Sequence, residues 1–364
     1  MTALQPGAEG TVAMDNLTRE EVGLATRNHG FLLEALRYPV TPVGMHYLLT
    51  HYDVPSVDPA TWTLDLGGRL ERAARLTLDE IRARPSVTQR VTMECAGNGR
   101  MGLRPRPLSQ PWGVEAVGNG EWTGTPLGPL LEELGLLDDA VDVVFTGLDV
   151  GVENGIEQNY ERSLTIADAL RAEVMLVYAL NGQPLPPQHG FPLRLVVPGW
   201  YGMGNVKWLS RIRIVDEPFD GYQQSYAYRM RMEPDEPGTP VSWLRPRALM
   251  IPPGVPEFFT RERSIPAGRH ALQGRAWSGF GPIQRVEVTT DGGVTWADAD
   301  LEPQRDRYGW VGWTCDWQAS PGRHQLGCRA TDGQGDRQPI EPEWNLGGYC
   351  GNAVQQIAVV VTES

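Results

Sequence analysis

The spacing of apolar and polar positions divides the chain into two parts with different textures. Over residues 39–231, short apolar runs alternate with short amphipathic segments, and the sequence holds no long amphipathic helix. The pattern predicts strands at Thr61–Leu66, Val91–Glu94 and Val141–Thr146, and helices at Thr77–Ala83, Pro126–Leu134 and Thr165–Arg171. We therefore predict a compact α+β domain over residues 39–231. A polar lead-in over residues 1–38, with a short helix around Thr18 to Thr26, precedes it.

The second part of the chain has the period of strands alone. A linker rich in proline and acidic residues, Met232 to Pro240, leads into it. Strands are predicted at His270–Trp277, Ile283–Thr289, Trp310–Cys315, His324–Ala330 and Val354–Val361. The turn Asp291-Gly292-Gly293 predicts a hairpin between two of them. We therefore predict an immunoglobulin-like β-sandwich over residues 241–364, which packs against the first domain or a second subunit.

Charge and hydropathy restrict the partners. The 364 residues carry a formal net charge of -13, and such a field repels polyanions, so we expect no nucleic-acid partner. No apolar run approaches the roughly 20 residues of a membrane span, so we expect no membrane partner. The first residues, Met1 to Gly10, lack a basic stretch followed by an apolar core. We therefore expect a cytoplasmic protein without an export signal.

The basic residues single out one position. Of the 32 lysines and arginines, only Lys207 is a lysine. Codon bias explains a general replacement of exposed lysines by arginine, because an exposed guanidinium substitutes for an ammonium at little cost. A lysine that survives this replacement indicates a site that requires a compact charge.

Lys207 belongs to a segment rich in glycine and proline, Asn181–Leu209, that also contains His189 and Arg194. Three glycines allow the backbone to approach a ligand closely, namely Gly199, Gly202 and Gly204. Cationic side chains and amide donors around such a loop suit a phosphate or another oxyanion. The spacing fits neither a P-loop nor a dinucleotide-binding fingerprint. The alternative is a surface loop with incidental charges.

A second chemical segment surrounds Cys95. A strand-like run ends at this cysteine, a Gly-Asn-Gly turn follows, and Arg100, Arg104 and Arg106 come next. A cysteine among arginines should have a lowered pKa and an accessible thiolate. Three roles stay open at this point. The residue is a nucleophile with His51 or His189 as its base, a buried structural thiol, or a soft ligand for a metal that arrives with other ligands attached.

The remaining cysteines suggest no further metal site. The four are Cys95, Cys315, Cys328 and Cys350, and no CxxC pair occurs. A zinc ribbon, an iron–sulfur cluster and covalent haem attachment are therefore unsupported. Cys315 and Cys328 flank a predicted strand–turn–strand and could be neighbours. In a reducing cytoplasm we expect buried free thiols.

Several motifs, in order along the chain, resemble one family. Glu94 to Arg100 resembles the cysteine loop of sulfite oxidases and assimilatory nitrate reductases. Further segments of the first domain resemble that family at Trp122–Leu127, Asn181–Gly182, His189–Arg194 and Asn205–Leu209. Its dimerisation domain is matched at Trp277–Gly279, Arg285–Val288, Asp291–Trp296 and Trp344–Leu346. From about Tyr38 onward the chain thus resembles the sulfite oxidase family of molybdopterin oxidoreductases.

The resemblance implies roles for individual residues. Cys95 would be the protein ligand of molybdenum. Arg100 would be the one arginine that is retained from the family's anion pocket above the metal. Tyr228 would be the active-site tyrosine, with Tyr226 as the rival assignment. The residues implied to hold the molybdopterin are Tyr47, His51, Cys95, Asp149, His189, Arg194, Asn205, Val206 and Lys207.

Three arginines of the family are missing from the expected positions. Leu49 stands two residues before His51, and Gly204 directly precedes Asn205. The segment Phe280-Gly281-Pro282 replaces the arginine that follows the Trp-Ser-Gly motif in sulfite oxidases. Each lost charge-assisted contact is worth about 1.5–3 kcal/mol. A small dianion such as sulfite should therefore bind poorly or differently.

The resemblance implies a molybdenum-dependent oxidoreductase that catalyses oxygen-atom transfer, with oxidation of sulfite or a related sulfur compound as the first expectation. Reduction of an S-oxide, an N-oxide or nitrate is the alternative, and a non-catalytic family member is a third. The implied partners are a small oxyanion or oxide substrate, an external electron carrier such as a cytochrome, and a second copy of the chain in a homodimer. The sequence shows no haem or flavin domain of its own.

Overall fold

The structure is a computed structural model that describes residues 17–363. Of the predicted lead-in, residues 1–16 lie outside the described residues. The described residues form five α-helices: α1 (Arg19–Arg27), α2 (Leu78–Arg82), α3 (Leu127–Leu134), α4 (Ile166–Ala169) and α5 (Tyr222–Ser225). The four predicted helices are confirmed as α1 to α4. Two begin at capping boxes, in which Thr18 pairs with Glu21 and Thr77 with Glu80.

Most of the remaining secondary structure is strand. The first half holds β1 (Thr63–Gly68), β2 (Ala74–Thr77), β3 (Val87–Glu94), β4 (Val117–Pro126), β5 (Asp142–Glu153), β6 (Ile156–Thr165), β7 (Met175–Leu180), β8 (Gln183–Pro184), β9 (Arg194–Val196), β10 (Leu209–Val215) and β11 (Arg229–Met230). The second half holds β12 (Thr239–Pro240), β13 (Arg247–Met250), β14 (Val255–Pro256), β15 (Arg263–Pro266), β16 (Gly268–Trp277), β17 (Ile283–Thr289), β18 (Ala297–Asp298), β19 (Asp300–Leu301), β20 (Val311–Ala319), β21 (Gly322–Asp332) and β22 (Ile357–Thr362).

Two sheets form the mixed first part, and the predicted α+β class is confirmed. One has the order β2-β1-β10-β5-β6, and β10 runs parallel to β1 but antiparallel to β5. The other has the order β3-β4-β7-β8, with β9 paired to β7. The sequence pattern located β1, β3 and β5 but missed the other strands of the first part, the longest of which are β4, β6, β7 and β10. Charged residues explain the omission of β6 and β10. Their exposed charged positions, such as Glu157 and Arg211, interrupt the apolar pattern.

The second part is a β-sandwich, as predicted; its immunoglobulin-like character stays a prediction. Its sheets have the orders β13-β16-β20-β19 and β14-β15-β22-β21-β17-β18. A hairpin forms around Asp291-Gly292-Gly293, as predicted, but its second strand is the short β18, which the sequence did not predict: Val288 of β17 pairs with Ala297 of β18. Cys315 and Cys328 lie in different sheets, and all four cysteines are free. Cys315 is half-buried, so the expectation that every thiol is buried is wrong at this position.

The two parts share one continuous core. Leu249 and Trp277 of the second part belong to the same hydrophobic cluster as Leu36 and Val117 of the first. The predicted linker closes on itself, because β11 pairs antiparallel with β12 at its two ends. The predicted domain boundary therefore runs through packed side chains. Over residues 17–363, no helix combines the length and the apolar character that a membrane span requires.

Candidate active site

Cys95 stands where strand β3 ends and the chain turns sharply. Its backbone N–H donates to the Ala116 carbonyl at 2.9 Å, and its carbonyl accepts from the Asn98 N–H at 3.0 Å. The Asn98 side chain closes the turn: its amide donates to Glu94 Oε1 at 3.0 Å, and its oxygen accepts from the Ala116 N–H at 3.0 Å. The Gly-Asn-Gly turn is therefore held on both sides, and the Cys95 thiol lines a cavity.

Arg100 lies directly against the backbone beside Cys95. A Cβ on Gly97 would meet the guanidinium at 2.5 Å, so a glycine is needed at position 97. The guanidinium donates from Nε and Nη2 to the Gly347 carbonyl at 3.2 and 3.0 Å, and from Nη1 to the Gln110 carbonyl at 2.8 Å. These three bonds leave two of its five N–H groups for a ligand.

The prediction of a lowered pKa for Cys95 is wrong for the protein alone. Burial raises the pKa of the thiol, and the charge of Arg100 lowers it by less. The other two arginines point elsewhere: Arg104 donates to backbone carbonyls, and Arg106 pairs with Glu21. Burial wins because a low-dielectric site disfavours the thiolate. A bound metal cation reverses that balance, since it deprotonates a coordinating thiol.

A cavity, the inner cavity, lies beside Cys95. It brings together most of the predicted site residues, namely Tyr47, His51, Cys95, Asp149, His189, Arg194, Asn205, Lys207 and Tyr228. The sequence reading missed other residues that line it, among them His46, Met93, Tyr160 and Met203. These residues come from both sheets of the first part and the loops between them, so no single segment of sequence could reveal the set.

Two basic side chains, the buried Arg194 and the half-buried Lys207, dominate the electrostatics of the inner cavity. Arg194 donates to the carbonyls of His189 and Asn205 at 3.0 and 3.1 Å, and Lys207 donates to that of Leu49 at 2.8 Å. Burial lowers the pKa of Arg194 to about 10. Burial and then the charge of Arg194 lower the pKa of Lys207 to about 7. Neither cation forms an ion pair with a carboxylate among residues 17–363, so their charges are available to an anion.

Asp149 is the carboxylate that lines the inner cavity. It is 4% exposed, and burial raises its pKa to about 6, while the charge of Lys207 works in the opposite direction. It therefore offsets only part of the positive charge of Arg194 and Lys207. Its position in β5 opposite the Lys207 segment follows from the pairing of β5 with β10.

Two buried histidines lie next to each other in the lining of the cavity. The rings of His46 and His189 lie 5.5 Å apart in an edge-to-face contact. Burial lowers the pKa of His46 to about 4 and that of His189 to about 2, so both rings are neutral at pH 7. His46 Nε2 is buried without a hydrogen-bond partner among the described residues. A Cβ on Gly118 would meet the His46 ring at 2.5 Å, so this glycine makes room for the ring.

The structure separates the two candidate tyrosines. Tyr228 is 8% exposed and lines the cavity, whereas Tyr226 is 54% exposed at the surface. The backbone of Tyr228 has a φ of 50°, a region that bulky side chains rarely adopt. Arg162, a buried cation missed by the sequence reading, lies over the Tyr228 ring with its Cζ 5.7 Å from the ring centroid.

A second cavity, the outer funnel, opens on the other side of Cys95. It shares Cys95, Leu49, His51 and Tyr228 with the inner cavity, and Arg100 lines it. Leu49 therefore stands in the wall between the two cavities. Since the side chain at this position is apolar, the funnel has no cation there.

A carboxylate stands in this funnel instead. Glu153 Oε2 lies 2.9 Å from His51 Nε2 and accepts from Tyr52 Oη at 3.2 Å and Gln223 Nε2 at 2.7 Å. Burial raises the pKa of Glu153, but the hydrogen bond and charge of His51, with the bonds from Gln223 and Tyr52, hold it below its usual range. Glu153 comes from the β5–β6 hairpin, which the sequence reading did not connect to the site.

Three predicted residues take more local positions. The Asn205 amide donates to the Tyr201 carbonyl at 3.1 Å and its oxygen accepts from the Val197 N–H at 2.8 Å, so this side chain shapes its own loop. The Val206 side chain packs in the hydrophobic core. Tyr47 reaches the cavity where Gly202 leaves space for its hydroxyl, because a Cβ there would meet Tyr47 Oη at 2.2 Å.

Two family models match the chain, one over each of its two parts. The oxidoreductase molybdopterin binding domain matches residues 51–223, which include Cys95 and most of the inner cavity. The Mo-co oxidoreductase dimerisation domain matches residues 253–362, which form most of the β-sandwich.

Individual relatives agree with these models. Mitochondrial sulfite oxidase of Drosophila melanogaster is 33% identical over 347 residues, or 88% of this chain and 59% of that protein. NADH nitrate reductase 1 of Oryza sativa subsp. japonica is 31% identical over 363 residues, or 92% of this chain and 39% of that protein. The chain thus spans less than two thirds of either relative.

A solved structure shares the complete fold. The sulfane dehydrogenase SoxCD from Paracoccus pantotrophus matches with a TM-score of 0.77 and 24% sequence identity. The match covers 99% of this chain and 96% of that chain. Both parts of the architecture therefore occur together in a known fold.

Proposed function

Because the chain belongs to the sulfite oxidase family of molybdopterin oxidoreductases, we propose that it transfers an oxygen atom between water and a sulfur compound. Sulfite or a related sulfur compound is the first substrate class. One observation carries the proposal: the inner cavity is lined by Cys95 together with the buried Arg194 and the half-buried Lys207, two basic side chains that form no ion pair with a carboxylate among the described residues.

The residues of the inner cavity fit a molybdopterin. Its phosphate needs positive charge, and the side chains of Arg194 and Lys207 supply it: both donate to backbone carbonyls, and Arg194 also contacts the Met93 sulfur, but neither is paired with a carboxylate among the described residues. Its pterin ring carries hydrogen-bonding groups, and the unpartnered Nε2 of His46 is available to them. Cys95 supplies one soft thiolate, which suits a metal that brings further ligands with it.

We assign the roles accordingly. Cys95 is the protein ligand of molybdenum. Arg100 and Tyr228, which line the funnel beside it, orient and stabilise the substrate oxygen. The molybdopterin-holding residues are Tyr47, His51, Asp149, His189, Arg194, Asn205, Val206 and Lys207, with Val206 and Asn205 acting through the shape of their loop.

The bound cofactor supplies two-electron redox chemistry and the exchange of an oxygen atom with water. The chain contributes binding and electrostatics. The two N–H groups that Arg100 does not use on the backbone bind the substrate oxygen in a buried site, where a charge-assisted hydrogen bond is strong. Arg162 holds the ring of Tyr228 through a cation–π contact, and burial raises the pKa of the phenol well above its usual range, so its hydroxyl stays protonated and can donate to the substrate oxygen.

A specific observation favours a second candidate. Leu49 provides no charge in the wall of the funnel, and Glu153 adds a carboxylate to it. A less cationic pocket tolerates a neutral S-oxide or N-oxide better than a dianion, so reduction of such an oxide is the alternative activity. A non-catalytic role is a weaker candidate, because the cationic cradle beside Cys95 is intact.

Metal analysis and steady-state assays test these candidates. We expect molybdenum in protein freshly purified from a host that makes the cofactor, and its absence would overturn the enzyme proposal. Assays with sulfite, and with reduced dye plus sulfoxides, then distinguish the two directions. We expect sulfite to saturate only above low-millimolar concentrations, because of Leu49; tighter saturation would show that the missing arginine does not matter.

A Leu49→Arg variant should gain affinity for sulfite. A guanidinium in the wall between the two cavities restores a contact worth about 1.5–3 kcal/mol, so the KM for sulfite should fall roughly 10- to 100-fold. Steady-state kinetics measure the change, and Leu49→Met, which keeps the volume without the charge, is the control. An unchanged KM in Leu49→Arg with full molybdenum would exclude a dianion from this funnel.

Partners and location are part of the proposal. The match to a dimerisation domain supports a homodimer formed through the β-sandwich. An external electron carrier, such as a cytochrome, is proposed to exchange electrons with the site. A cytoplasmic location and a lack of nucleic-acid partners stay predictions from the sequence.

A further inference from the structure

We propose that His51 and Glu153 form a proton path between the inner cavity and solvent. This inference rests on the proposed function, because it assigns the protons that oxygen-atom transfer releases or consumes. It concerns a carboxylate that neither the sequence motifs nor the cofactor cradle includes.

His51 occupies the position that such a path requires. It lines both the inner cavity and the outer funnel, so its ring stands in the wall between them. Its ring is in edge-to-face contact with Tyr160, at 5.1 Å between centroids, on the inner side. On the outer side, its Nε2 lies 2.9 Å from Glu153 Oε2.

Glu153 is held in place for proton exchange. Its Oε2 accepts from Gln223 at 2.7 Å and from Tyr52 at 3.2 Å, which fixes the carboxylate against His51. The Glu153 side chain is 35% exposed and that of His51 is 23% exposed. Exposure to solvent therefore increases from His51 to Glu153. The bonds from Gln223 and Tyr52 favour the ionised carboxylate, so Glu153 offers an oxygen that can take a proton from His51 transiently and release it to water.

Other carboxylates of the described cavities do not make this connection. Asp149 lines the inner cavity but not the outer funnel. Glu21 lines the funnel but is fully buried in an ion pair with Arg106. Three described carboxylates line the funnel, namely Glu20, Glu21 and Glu153, and among them Glu153 is the one with a hydrogen bond to a residue that also lines the inner cavity.

The chemistry balances with this path. When water supplies the oxygen, the substrate and one water give the oxidised substrate, two protons and two electrons. The two electrons pass one at a time to a one-electron acceptor, such as an oxidised dye or a cytochrome. Each proton reaches His51, passes from Nε2 to Glu153 Oε2, and leaves to water in the funnel. In the reductive direction the same protons enter by the reverse route.

The test compares Glu153→Gln with Glu157→Gln in the molybdenum-loaded enzyme. Glu157 is exposed on the facing strand of the same hairpin, opposite Val152, and serves as the matched control. We expect kcat of Glu153→Gln to fall roughly 10- to 100-fold, at the low end of general acid–base contributions because water also enters the funnel. KM should change little. Added imidazole should restore its kcat in proportion to concentration, while wild type and Glu157→Gln should not respond.

Nuclear magnetic resonance of the histidine rings tests the contact between His51 and Glu153 without relying on turnover. The chain has six histidines, so selective ¹⁵N labelling resolves their ring nitrogens. We expect Glu153→Gln to shift the His51 ring signals and leave the other five unchanged, in loaded and in cofactor-free protein. Melting temperature and molybdenum content confirm that the isosteric variant is folded and loaded.

The outcomes separate this inference from the proposed function. A Glu153→Gln enzyme with full molybdenum that matches wild type, or one that is slow and insensitive to imidazole, would overturn the proton path alone. Wild-type protein without molybdenum or turnover would overturn the proposed function, and the proton path with it.

Discussion

A Cys95→Ser variant is expected to keep its fold and its pterin but to lose turnover. Serine preserves the shape of the turn, because the bonds that hold it come from the backbone and from Asn98. Its hydroxyl is a hard and weakly acidic ligand where a soft thiolate is needed. The loss should exceed the roughly 10- to 100-fold that outer-shell partners of a metal site usually cost.

Three measurements check this prediction: steady-state turnover, molybdenum content, and pterin fluorescence after release. Cys315→Ser is the control, since this half-buried thiol lies in the β-sandwich away from the cavity. The variant should retain wild-type turnover. Activity near the wild-type level in Cys95→Ser would overturn the assignment of the metal ligand.

An Arg247→Met variant should lower both stability and turnover. Arg247 and Glu94 form a fully buried ion pair at 3.0 Å, and the Trp277 indole donates to the other Glu94 oxygen at 2.8 Å. Removal of the cation leaves the Glu94 charge buried without its partner, which costs about 3–5 kcal/mol of unfolding free energy. Glu94 directly precedes Cys95, so the loss should also disturb the cysteine turn and reduce turnover.

Urea denaturation and steady-state turnover measure these two effects. Arg269→Met is the matched control, because its pair with Asp316 is 75% and 62% exposed; it should change stability by under about 0.5 kcal/mol. A double variant, Glu94→Gln with Arg247→Met, removes both charges and should lose less than the sum of the single variants. Additive losses would show that the ion pair does not link the β-sandwich to the cysteine turn.

Local patterns predicted the regular elements well where one face is buried. The helices predicted around Thr18–Thr26 and at Thr77–Ala83 begin at capping boxes in the structure, and the strand predicted at His270–Trp277 lies within β16, where buried and exposed positions largely alternate. Strands β6 and β10 were not predicted, because charged residues at their exposed positions interrupt the alternation of apolar and polar residues. The hydrophobic core that the two parts share was not predicted either, since packing between distant segments leaves no local pattern in the sequence.

The chemistry of the site divides in the same way. Residue type, order and spacing marked Cys95, His189, Arg194 and Lys207, and the cavity contains all four. The lowered pKa predicted for Cys95 was wrong, because sequence proximity to arginines does not reveal burial or the pairing of Arg106 with Glu21. The choice between Tyr226 and Tyr228 also needed the fold, which exposes one and buries the other.

The sequence by itself determined the family, the two-part organisation and the thiol at the end of β3, because these depend on residue identity and short spacing. Only the tertiary structure decided which charges face the site. It placed Leu49 between the cavities, Arg162 over Tyr228, and Glu153 against His51, residues that are more than 100 positions apart in the last case. The physical reason is that burial and electrostatic interaction depend on distance in space, and the pairing of strands sets that distance.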